Sequence, residues 1–153
     1  YVRAELDRKA ANERAQLAAD TSKYGVQMRY KQFMQSTQQI DNAKQLLQKR
    51  MNFVAQLSKN NQLDANKRAA LAAQAKKLAT IMQTRAQLQA AYVQSMADEG
   101  KDNPGVWDTV MELDSMVPYE MSSLDEQINE LMSDVQGDGM GGLNSRVSGS
   151  SVQ

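Results

Sequence analysis

The sequence predicts an all-α fold: a long antiparallel helical hairpin with coiled-coil-like packing, then two short helices and a Gly/Ser-rich tail. Three observations predict it. Residues 1–59 contain a single glycine and no proline, and most are strong helix formers. Apolar residues recur at helical spacing in two runs separated by the polar break Asn60, Asn61 and Gln62. Beyond residue 136 the composition changes to Gly, Ser and Asn. The expected organisation is a basic hairpin over 1–99, an acidic short-helix module over 100–135 and a tail over 136–153.

The first helix is expected to run unbroken from Tyr1 to about Lys59, on the order of 85 Å at 1.5 Å per residue. Val26, Phe33, Ile40, Leu47 and Val54 recur every seven residues, with Tyr30, Met51 and Leu57 filling intermediate turns, and so define a packing seam. Thr37 and Lys44 sit where apolar residues would be ideal, which favours a hairpin or a many-membered helical ring over a two-stranded zipper. The first turns carry mostly alanine, which buries little area per residue and so calls for partners. Gly25 is the expected position of any kink, because glycine costs about 1 kcal/mol relative to alanine inside a helix.

Asp64 is placed to cap a second helix reaching about Met96. A connection this short makes the two helices antiparallel neighbours. Leu71, Leu78, Met82, Leu88 and Tyr92 recur mostly at three- and four-residue steps or their multiples and are expected against the first seam. The opposite face carries Lys67, Arg68, Lys76 and Lys77, a solvated face by default and otherwise a contact for phosphate or an acidic partner.

Asp98 to Gly105 reads as a charged turn, with Asn103 and Pro104 as the N-cap and first residue of the next helix. Trp107, Val110 and Met111 anchor that short helix, which Pro118 is expected to stop. Ser122 to Glu126 then opens a second short helix with Ile128, Leu131 and Met132 on its apolar face. The tail is flexible by composition and would order only against a partner.

Charge divides along the chain. Up to Ala97 there are 16 Lys/Arg against 6 Asp/Glu; from Asp98 onward there are 2 against 12, so a net charge of zero is two opposed surpluses of ten. Such a split marks complementary surfaces between copies, a basic arm for nucleic acid, or two faces that balance inside one protomer. The chain has no His and no Cys, which removes most general-base, thiol and soft-metal chemistry. No phosphate loop or metal-loop spacing surrounds the carboxylates. No enzyme, cofactor or metal site is expected, and no apolar run is long enough to span a bilayer. The opening Tyr1, in place of Met, reads as a segment or processed form of a longer product.

The segment Ala18-Ala19-Asp20-Thr21-Ser22-Lys23-Tyr24-Gly25, within a helix rich in Ala, Gln, Arg and Lys, resembles segments of internal virion and DNA-ejection proteins of short-tailed bacteriophages. That resemblance covers eight residues and the general composition of the first hundred. It implies a structural virion protein in the capsid interior or tail, delivered to the host periplasm, forming a homo-oligomeric conduit beside portal or tail proteins and in nonspecific contact with genome DNA. It carries over no catalytic residue. Two other readings stand beside it: a bacterial cytoplasmic adaptor or chaperone-like module with Met-bearing grooves, and a nonspecific DNA-binding protein using the basic hairpin.

Overall fold

The computed structural model describes residues 2–99 and 102–136, which form helices joined by short non-helical segments, with no strand among them. Four helices follow one another: α1 (Val2–Ala19), α2 (Lys23–Asn60), α3 (Ala65–Glu99) and α4 (Pro104–Gln136). The Gly/Ser-rich tail, and Gly100 and Lys101 of the expected turn, lie outside the described residues.

Two local expectations are corrected. The helix expected over residues 1–59 is interrupted at Asp20, Thr21 and Ser22, upstream of Gly25. Side chains there compete with the helical ladder for backbone groups. Asp20 Oδ1 accepts from the Ser22 amide at 2.9 Å and from its hydroxyl at 2.5 Å, while Ser22 Oγ accepts from the Gly25 amide at 3.1 Å. Ser22 is thereby the N-cap of α2, and its carbonyl already accepts from Val26 at 3.1 Å.

The second correction is at Pro118, which lies inside α4 rather than ending it. The two expected short helices are one of 33 residues, and Ser122 and Ser123 are interior positions rather than a cap. Proline removes one backbone bond and costs about 3 kcal/mol in a helix interior. Burial of Val110 and Val117 before it, and of Leu124, Ile128 and Leu131 after it, holds both sides helical, since each such side chain is worth about 1.5–3 kcal/mol.

The other two helix starts follow local chemistry. Asp64 Oδ2 accepts from the Lys67 amide at 2.9 Å and its carbonyl from Arg68 at 3.0 Å, which caps α3. Asn103 Oδ1 accepts from the Val106 amide at 3.2 Å and its carbonyl from Trp107 at 3.0 Å, with Pro104 opening α4.

The chain forms two compact units, one of Tyr1–Asn42 with Ile81–Met116, the other of Ala43–Thr80 with residues from Val117 onward. Both draw residues from either side of the sequence boundary at 99/100, so the acidic stretch is shared between them. In the first unit Phe33, Tyr92, Trp107 and Val110 form a buried cluster, flanked by Leu17, Ala18, Leu88, Met96, Val106 and Met111. The Phe33 and Tyr92 rings lie 4.7 Å apart and tilted by 39°. The second unit buries Val54, Leu57, Leu63, Leu71 and Leu78 together with Val117, Leu124, Ile128, Leu131, Met132 and Val135.

Candidate functional site

Of the expected seam, Phe33, Ile40, Val54, Leu57, Leu71, Leu78, Met82 and Tyr92 are buried, and Val26, Leu47, Met51 and Leu88 are half-buried. Tyr30 departs from it and is exposed, because the face between Val26 and Phe33 that turns inward belongs to Arg29 instead. Trp107 and Val110 are fully buried and Met111 is half-buried. The indole Nε1 of Trp107 has no hydrogen-bond partner among the described residues. Of the four cations considered for phosphate or an acidic partner, Lys67 pairs with Asp134 at 2.9 Å and Lys77 with Glu120 at 2.8 Å. Arg68 and Lys76 are exposed.

The first unit holds two buried guanidinium centres that the apolar seam alone did not reveal. Arg29 is 1% exposed. Its Nε donates to Asp102 Oδ2 at 2.7 Å and its Nη2 to the same oxygen. Its Nη1 donates to the carbonyls of Leu17 at 2.6 Å and Asp20 at 2.7 Å, where α1 ends; the Leu17 carbonyl also accepts from the Asp20 amide at 3.2 Å. Tyr92 completes the centre, its hydroxyl donating to Asp102 Oδ1 at 2.9 Å. Burial, reinforced by that bond to a carboxylate, pushes the Tyr92 phenol well above its ordinary value.

Arg85 forms the second centre. It donates to Asp114 through Nε at 3.0 Å and Nη2 at 3.1 Å, to Thr37 Oγ1 at 3.0 Å and to Gln89 Oε1. Ser36 donates its hydroxyl to the same carboxylate, and the Phe33 ring lies 5.2 Å beneath the guanidinium carbon. Both arginines are locked by planar, charge-assisted bonds, which fix geometry without leaving a reactive group.

In the second unit Glu120 accepts from Lys77 and from Gln74 Nε2 at 3.1 Å, bonds that hold its carboxyl below its ordinary value. Arg50 pairs with Asp125 at 2.7 Å. Among the described residues no group of three or more His, Cys, Asp or Glu could hold a metal ion, and no helix is long and apolar enough to cross a membrane.

The most open feature is α1. None of its residues is buried, Val2 and Leu6 are 68% and 61% exposed, and a groove along it is lined by Val2, Glu5, Leu6, Arg8, Lys9 and Asn12. It is held at its C-terminal half, through Leu17 and Ala18 on the Trp107 cluster and through Arg14, whose Nε donates to Asp108 at 2.8 Å. Comparison with protein-family models, with curated proteins and with solved structures finds no match.

Proposed function

We propose that this chain is a non-catalytic structural protein, an internal or ejection-type component of a bacteriophage virion that works as a helical multimer. In that reading α2 and α3 form the antiparallel hairpin of each subunit. Copies assemble beside portal or tail proteins, from the capsid interior or tail to the host periplasm, as part of a conduit for the genome. Any contact with DNA would be phosphate-directed, nonspecific and weak, because duplex must displace the acids paired with Lys67 and Lys77.

The observation that carries the reading is α1: eighteen residues of helix with none buried. A helix of that length gains little in water from its own hydrogen bonds and is held by packing in most proteins. Neighbouring subunits would supply the packing that the chain itself lacks. The buried arginine centres fit a structural role, because their donors are spent on fixed partners within the fold.

Size-exclusion chromatography with light scattering tests the reading. A multimer is expected at both about 50 mM and about 500 mM salt, since the ion pairs described above lie within the chain and screening affects exposed charges. A monomer at both salt levels and high protein concentration would overturn it. A stoichiometric complex of one copy with a bacterial client would favour the adaptor reading instead.

A further inference from the structure

We infer that α1 is an exchangeable arm: the break at Asp20–Ser22 opens, α1 and α2 join into one helix, and α1 docks on the Trp107 cluster of a second copy. The inference deepens the multimer reading by naming the segment that passes between copies.

The break is a sharp bend in the chain. In a continuous helix Arg29 and Leu17 would lie about 18 Å apart along the axis, yet Arg29 Nη1 bonds the Leu17 carbonyl at 2.6 Å. Gly25 is what lets the chain close so tightly. A Cβ built there would lie 2.5 Å from the Asp20 carbonyl oxygen and 2.6 Å from Asp20 Cγ, so only glycine fits.

Nothing in the segment forbids the straight form. Between Ala19 and Val26 there is no proline, and Asp20, Thr21, Ser22 and Gly25 are weak helix formers that a helix nevertheless tolerates. Straightening also leaves no orphaned carbonyl: Leu17 O and Asp20 O would pass from Arg29 to the helical amides of Thr21 and Tyr24. Arg29 would keep Asp102.

A second copy is the occupant the vacated surface fits. Leaving removes Leu17 and Ala18 from the cluster of Phe33, Tyr92, Trp107 and Val110, and Arg14 from Asp108. Another copy's α1 brings the same three side chains in the same order, so exchange restores each contact. Because no α1 residue is fully buried, departure exposes little of the arm itself.

Two substitutions drive the equilibrium in opposite directions. Gly25→Ala adds the clashing Cβ to the closed turn while suiting a continuous helix. Lys23→Pro does the reverse: position 23 is the first residue after the Ser22 N-cap, where proline is favoured, and in a straight helix it would lie in the interior, where proline is strongly disfavoured. Trp107 is the sole tryptophan and reports whether its cluster is covered.

The test refolds wild type and both variants from urea at high protein concentration, then reads mass by light scattering and Trp107 emission. G25A is expected to associate at least as fully as wild type with Trp107 emission still blue, and K23P to lower the associated fraction at least tenfold. A G25A monomer, whether its Trp107 emission is red-shifted or unchanged, overturns the exchange. If G25A does not refold, wild type and K23P decide: equal associated fractions, or none in wild type, overturn it. K23P that associates as wild type does removes the exchange and leaves the multimer reading standing, whereas a wild type that never associates removes that reading too.

Discussion

Replacing Asp114 with alanine strips one partner from Arg85, whose side chain is only 2% exposed. An unpaired buried guanidinium costs about 3–5 kcal/mol, so the urea midpoint of D114A should fall sharply. The double change R85M with D114L removes both charges and should recover most of that loss; a double variant as weak as D114A would show that the pair itself, and not its imbalance, sets stability. Tyr92 adds a pH signature. Its phenol is raised above the ordinary 10.0 in the folded chain, so the unfolded chain releases that proton first. Stability is whole below about pH 10 and is lost as pH climbs toward the folded value. Unfolding curves should show an alkaline decline in wild type that is smaller in Y92F. The Arg85 centre leaves a mark in the sequence. Leu71, Leu78, Arg85 and Tyr92 are seven apart, as are Trp107, Asp114, Met121 and Ile128, so each partner of that pair sits on an apolar seam. Charge on a helix ordinarily means a solvated face, and only the opposing seam, far away in sequence, turns these two inward.

Helix starts were legible and helix interruptions were not, for a physical reason that separates Asp64 and Asn103 from Asp20 and Pro118. A cap is decided within three or four residues, and Asp64 with Lys67 or Asn103 with Val106 is complete on its own. Asp64→Ala should therefore lower stability by about 1 kcal/mol in urea unfolding, with the same slope against denaturant. The break at Asp20 depends on Arg29, nine residues away, and on a close approach to Gly25 that spacing does not reveal. Pro118 is held helical by side chains buried against other helices, and no local rule contains that information. Pro118→Ala restores an amide that can bond the Asp114 carbonyl one turn earlier. Since position 118 is exposed, the change should raise the thermal midpoint, by roughly 1–3 kcal/mol of stability. An unchanged or lower midpoint would mean that the packing around α4 needs the proline's geometry.

The whole chain divides its charge between its two stretches, and the fold brings the stretches back together. Each of the six described ion pairs joins a base from the first 97 residues to an acid beyond residue 101: Arg14, Arg29 and Arg85 to Asp108, Asp102 and Asp114, and Arg50, Lys67 and Lys77 to Asp125, Asp134 and Glu120. The surplus visible in the sequence is thus spent in large part inside the subunit, which the counts of charge alone left open beside pairing between copies. Duplex DNA must compete with those carboxylates for the same cations. Anisotropy of a labelled random duplex should show no binding by wild type up to about 100 µM protein near 150 mM salt. Freeing Lys67 and Lys77 through D134N with E120Q places them with exposed Arg68 and Lys76 as cations available to phosphate. Binding should then appear, with log K falling against log salt at a slope of roughly −2 to −4, because each neutralised phosphate contributes about −0.9. Wild-type binding as tight as the variant's, with the same slope, would mean that the acids of α4 do not mask this face and that the chain meets DNA directly.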